Sequence, residues 1–179
     1  MNILITICGR AGSKGVGNKN FRLFLGKPMI YYTIKAAKLF KEKNKNIAGI
    51  DICLNSDNDI ARKIALEENL FFIERPNELA SDTASKVDAI RDVLLKMERN
   101  LNKKYDYIID LDITSPLRKV SDIENIFNKE IKTQSDVVFS VVPSRRNPYF
   151  NMVEENKEGF YELCKKGSFA ERSIWITMV

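Results

Sequence analysis

Apolar residues along this chain follow two alternating rhythms. Short continuous runs rich in β-branched side chains give way to stretches where apolar positions recur every three or four residues, the marks of buried strands and amphipathic helices. Residues 2–8 form the first run, closed by glycine, and predict a strand. Residues 50–55, 70–74 and 107–112 and the valine-rich 136–142 predict four more. Between them, residues 29–41 predict a helix with Pro28 near its first turn and Ile30, Ile34 and Ala37 on one face. Ser56, with Asp59 three residues on, predicts the cap of a helix that turns Ile60, Ala61, Ile64 and Ala65 inward. Residues 85–99 predict a helix with Val87, Ile90, Leu94 and Met97 at helical spacing, and Ser121 predicts the cap of another reaching Lys129. Residues 151–154 and 160–164 predict a hairpin around Gly159.

Strands separated by helices imply right-handed crossovers. The expected fold class is therefore α/β: a three-layer α/β/α arrangement with a mainly parallel, Rossmann-like sheet and a small C-terminal hairpin. Residues 1–143 are expected to form the main domain and residues 144–179 an appendage. Sheets of this kind bind ligands beyond the carboxyl ends of their strands, so functional residues should follow the first four strands.

Composition narrows the chemistry. The 179 residues contain no histidine, which excludes His-based general bases, Ser-His-Asp triads and His-ligated metals. Cys8, Cys53 and Cys164 form no CxxC pair and no zinc pattern. Cys8 and Cys53 lie inside strand-like runs and read as small apolar residues, so a reducing cytoplasm is the expected location. The apolar N-terminal run is too short to span a bilayer and no cleavage site follows it, so no membrane partner is expected. The net charge of +5 permits a nucleic-acid partner, but no RNA-recognition, helix-turn-helix or aromatic-stacking pattern accompanies it. Lys41, Lys43, Lys45, Lys103 and Lys104 lie where helices are expected to end, which suits solvated cations.

The candidate chemistry lies in the loops. Residues 9–20 hold four glycines and three cations, Arg10, Lys14 and Lys19, directly after the first strand. Glycines allow positive φ and close backbone approach, successive amides form an anion-binding concavity, and the cations add charge-assisted hydrogen bonds to a polyphosphate. The spacing is neither Walker A nor GxGxxG. Asn55, Ser56 and Asp57 read best as a helix cap. Arg75 is expected either to neutralise a phosphate or to pair with Asp82. Ser81, Thr83 and Ser85 suit either ligand contact or capping. Asp110 and Asp112 share a face by strand alternation. Two carboxylates so close repel unless a cation joins them, and Mg²⁺ with nucleotide phosphates is one such solution.

Three strings, GRAGSKGVGNKN, ERPNELASDTAS and LDITSPLR, occur in that order within residues 1–155. Together they resemble the N-acylneuraminate cytidylyltransferase family, with LDITSPLR closer to a bacterial branch acting on legionaminic or related nonulosonic acids. The resemblance implies a nucleotidyltransferase domain that transfers CMP from CTP to an acidic nine-carbon sugar and releases pyrophosphate, with Mg²⁺ or Mn²⁺ as cofactor. It implies a triphosphate loop comprising Gly9, Arg10, Gly12, Ser13, Lys14, Lys19 and Asn20, with Arg10, Lys14 and Lys19 catalytic. Arg75, Ala84 and Ser85 resemble nucleotide contacts. Asp112, Thr114 and Ser115 resemble the sugar-facing stretch, with Asp112 a candidate metal ligand in a position where many members carry glutamine. Many members also have Pro-Gly where this chain has Gly17 and Asn18, a harmless change because asparagine tolerates the left-handed region. Residues 145–150 resemble the start of a dimer arm, which implies a homodimer. Residues 168–179 match none of the family's continuation and are expected to reflect a truncation or shifted frame. A chain that binds CTP without turning it over is therefore the alternative, and a nucleic-acid-binding protein a remote one.

Overall fold

The computed structural model describes residues 1–12, 16–81, 83–143, 146, 148, 152–165 and 176–178. Two compact units divide them, Met1–Asn125 and Ile126–Val179. In the first, β1 (Asn2–Cys8), β4 (Gly49–Ser56), β5 (Phe71–Glu74) and β6 (Tyr107–Asp110) form a parallel sheet in the order β5-β4-β1-β6. A two-residue ribbon, β2 (Leu23–Phe24) with β3 (Lys27–Pro28), follows β1 and was not foreseen. It leads into α1 (Met29–Lys43). Helix α2 (Asp59–Glu67) joins β4 to β5, and α3 (Lys86–Leu101) joins β5 to β6.

Parity in the strands sorts the faces. Register pairs Thr6 with Cys53 and Asp110, Cys8 with Asn55, and Asn55 with Ile73. These residues share one face, and Leu4, Cys53 and Ile73 pack there against Val93 and Met97 of α3. Ile3, Ile5 and Ile7 occupy the other face. On that side Tyr31 and Lys38 of α1 bond Glu67 and Glu68 at the end of α2, and Arg62 of α2 stacks on Phe72. The result is the expected α/β/α layering, with every residue of β1 from Ile3 to Ile7 fully buried.

Several expectations need correction. The cap of α2 is Asn58, whose side chain accepts from Ile60 N–H, and Ser56 Oγ instead accepts from Asn58 N–H. Ile60 is 48% exposed, because the inward stripe is Ala61, Ile64 and Ala65. In α3 the buried stripe is Ala89, Val93 and Met97, whereas Val87 faces solvent. Each was an error of helical phase: several apolar residues fit a periodic stripe, and the sheet selects one set. The fifth strand of 136–142 shrinks to β7 (Val141–Pro143), which pairs antiparallel with β10 (Ile176–Met178) outside the parallel sheet. Valine-rich sequence favours extended backbone but does not choose a partner edge. Helix α4 (Val120–Thr133) precedes it, with Lys119 N–H donating to Asp122 near its start. The hairpin forms as β8 (Val153–Glu155) with β9 (Tyr161–Leu163), and Gly159 adopts φ 84° in its turn. Most of residues 145–150, read as a dimer arm, lie outside the described residues.

Candidate active site

The chain runs outward from β1 to β4 and β5, then returns to β6 on the other side of β1. That reversal opens a crevice at the carboxyl end of β1, the place where such sheets bind ligands. A cavity of about 460 Å³ lies there, within the size range of small-molecule sites. Its walls come from the segments after β1, β5 and β6 and from the start of α3.

The loop after β1 is shaped by polar side chains. Gly9 N–H donates to the Asn55 carbonyl at 2.9 Å, and Ala11 N–H to Asp57 Oδ1 at 2.8 Å. Asn20 is buried and its amide donates to the Arg10 carbonyl at 3.2 Å. Asn18 takes the left-handed conformation, φ 51°, which asparagine tolerates, and opens a single helical turn over Lys19–Phe21. Gly9, Gly12 and Gly17 do not adopt positive φ, contrary to the reason first given for the glycines. At Gly9 the requirement is room: a Cβ would lie 2.4 Å from Ile113 Cδ1 and 3.1 Å from Asn20 Nδ2. Arg10 and Lys19 thereby line the cavity, and Arg10 Nη1 donates to the Ala80 carbonyl at 3.3 Å. Ser13, Lys14 and Asp82 lie outside the described residues.

Arg75 follows β5 on the α3 face. Its Nε donates to Asn55 Oδ1 at 2.7 Å, and Asn55 Nδ2 donates to the Ile73 carbonyl at 3.0 Å. Asn55 is fully buried and Arg75 is 8% exposed. Arg75 Nη2 is buried without a hydrogen-bond partner among the described residues, and Arg75 is one of the residues lining the cavity. The guanidinium charge beside the cavity favours an anion there. Cys8 also lines the cavity. Burial, reinforced by Asp110, pushes its thiol up to about 12, although Arg75 and Lys86 pull the other way. It is a neutral wall at pH 7 and no nucleophile.

Ser85 caps α3, its hydroxyl accepting from Val87 N–H at 3.2 Å, and lines the cavity with Ala84. The positive end of a sixteen-residue helix is therefore turned toward the site. The next residue, Lys86, bridges the carboxylates of Asp110, the last residue of β6, and Asp112, two residues beyond it: its Nζ lies 2.5 Å from Asp110 Oδ2 and contacts Asp112 Oδ1 directly. Burial lowers the ammonium's pKa, but the two aspartates outweigh it and hold it above the ordinary lysine value. Asp112 and Thr114 line the cavity, whereas Gly12 and Ser115 are not among its lining residues. Among the described residues no three His, Cys, Asp or Glu side chains gather to hold a metal ion.

The sequence reading missed Lys86 and undervalued Asn55 and Asp57. A lysine in the first turn of a helix opposes the helix dipole, and that anomaly was the available signal for Lys86. For Asn55 the signal was a polar residue at the end of a buried strand.

The cytidylyltransferase family model matches residues 4–159. The post-translational flagellin modification protein B of Campylobacter coli is 41% identical over 95% of this chain and 70% of its own length. A CMP-N,N'-diacetyllegionaminic acid synthase of Campylobacter jejuni is 37% identical, with the same two coverages. Among solved structures, CMP:2-keto-3-deoxy-manno-octonic acid synthetase complexed with CTP superposes with a TM-score of 0.59 at 20% identity. It covers 80% of this chain, which spans 52% of that one, and the likeness is one of fold. With its parallel sheet, the cavity at the strand reversal and the match over residues 4–159, the chain belongs to the cytidylyltransferase family.

Proposed function

We propose that this chain transfers CMP from CTP to an acidic nonulosonic sugar and releases pyrophosphate. The observation that carries the reading is the cavity itself. Arg10, Lys19 and Arg75 line it, while Lys86 is matched by Asp110 and Asp112, so the cavity is positive overall. A triphosphate is the ligand that such a cavity balances. The identity to a CMP-N,N'-diacetyllegionaminic acid synthase supports a nonulosonic acid as the acceptor.

In this reading Gly9, Gly12, Ser13, Asn20, Ala84 and Ser85 cradle the nucleotide, while Arg10, Lys14 and Lys19 stabilise charge spreading over the phosphates. Asp112, Thr114 and Ser115 face the sugar. The anomeric oxygen attacks the α-phosphorus in line, the bond to the β-phosphate oxygen breaks, and the hydroxyl proton leaves to solvent. Most of the rate enhancement comes from holding the reactants and from preorganised positive charge.

The resemblance implies Mg²⁺ or Mn²⁺, but the residues present do not fit a preformed metal site, because the Asp110 and Asp112 carboxylates already engage Lys86. The divalent ion enters in this reading as the counter-ion of CTP. Three free cysteines favour a reducing cytoplasm, and the likeness of residues 145–150 to a dimer arm favours a homodimer. No helix among the described residues is long and apolar enough to cross a membrane.

The test is pyrophosphate release by the purified 179-residue chain with CTP and a panel of nonulosonic acids. Release that requires both CTP and one of the acids, and that falls in Lys19→Ala, is expected. CTP binding without turnover on any acid would refute transfer and leave a nucleotide-binding protein.

A further inference from the structure

Asp110 ends β6 and Asp112 follows two residues on, and their carboxylates both meet the Lys86 ammonium. Groups other than lysine hold both residues there. Asp110 Oδ1 accepts from the buried Thr6 hydroxyl at 2.8 Å. The Asp112 carbonyl accepts from Thr33 Oγ1 at 3.2 Å and Arg118 Nη2 at 3.0 Å. Two carboxylates that both reach one ammonium would repel each other without it. Lys86 reaches them from the first position of α3, where the helix dipole disfavours a positive charge. Its placement is accounted for by the carboxylates and not by the helix.

We propose that Lys86 is a positioning residue, the built-in counter-cation of the Asp110–Asp112 pair, which holds the Asp112 carboxylate at the cavity wall and keeps divalent ions off the pair. An ion arriving at these oxygens has to displace a tethered ammonium that pays no translational cost to stay. A divalent ion in the cavity is therefore left to the phosphates of the ligand, a consequence that rests on the nucleotide reading above.

Titration of the nucleotide-free protein with Mn²⁺, followed by the electron paramagnetic resonance signal of the free ion, tests this without substrate. Its outcome is thus separate from that of the pyrophosphate assay. Wild type and Lys86→Arg are expected to show no saturable Mn²⁺ site that Asp112→Asn removes. Lys86→Met is expected to bind Mn²⁺ at least about tenfold more tightly than wild type, since a repelling unit charge has gone. Adding Asp112→Asn to Lys86→Met should abolish that gain. A lysine that merely packs would leave Mn²⁺ binding unchanged in Lys86→Met, and that result overturns the proposal. So does a wild-type site lost in Asp112→Asn. Should Lys86→Met fail to melt cooperatively, the comparison of wild type with Asp112→Asn decides: equal binding supports the proposal and tighter wild-type binding overturns it.

Discussion

Arg75 shows how one side chain serves fold and ligand together. Its Nε donates to the buried Asn55 side-chain oxygen Oδ1 while Arg75 also lines the cavity. Arg75→Ala removes both interactions. Leaving the Asn55 oxygen unpaired is expected to lower stability by about 1–3 kcal/mol, read from the urea midpoint. CTP affinity should fall at least about tenfold by calorimetry, since a charge-assisted hydrogen bond is lost. Gly9→Ala tests the space argument. The added methyl must push Ile113 or Asn20, and Asn20 holds the Arg10 carbonyl. A loss of about 1–3 kcal/mol in the same melt is expected, as for other overpacked sites. A neutral substitution would show that the loop has slack at this point. Arg10, Lys19, Arg75 and Asp112 were legible as candidates because charged and glycine-rich strings that interrupt buried strands stand out in one dimension. Lys86 was not, because its role exists only through partners on another element.

Element boundaries followed local chemistry closely where a single signal dominated. Strand β1 matches its apolar run residue for residue, and Ser85 caps α3, one of the two roles its sequence left open. Ser85→Ala should lower stability by about 1 kcal/mol through loss of the cap. It should also weaken CTP binding, because the same helix start lines the cavity. Unchanged affinity in a destabilised variant would detach the helix terminus from ligand binding. Where two signals competed, the sequence was ambiguous. Ser56 and Asn58 are both good caps, and only the path of the chain leaving β4 selects Asn58. Residues 136–142 have the composition of a strand, but hydrogen-bonding partners are a tertiary property, and most of that segment goes unpaired among the described residues.

For the whole molecule, the alternation of strand and helix announced the parallel sheet, and the sheet announced the site at its carboxyl edge. The opposite end carries a charge cluster important for stability. Asp51 of β4 accepts from Lys103 Nζ at 2.6 Å and from Tyr105 Oη at 2.7 Å. Burial would raise its pKa, yet these two partners, helped by Lys41, hold it below the ordinary aspartate value. The stabilisation is therefore complete above the unfolded aspartate pKa of about 4 and is lost as pH falls through the depressed folded value. Asp51→Asn should be less stable than wild type at pH 7, and the gap in urea midpoints should close as pH drops below that range. A gap independent of pH would assign the effect to packing.

The proposed function depends on a nucleotide's phosphates lying between the loop after β1 and the start of α3. A crystal structure of this chain grown with CTP addresses that directly. The expected result is triphosphate density against Arg10, Lys19 and Arg75 in the cavity. CTP bound at another surface, with that cavity left to solvent, would contradict it.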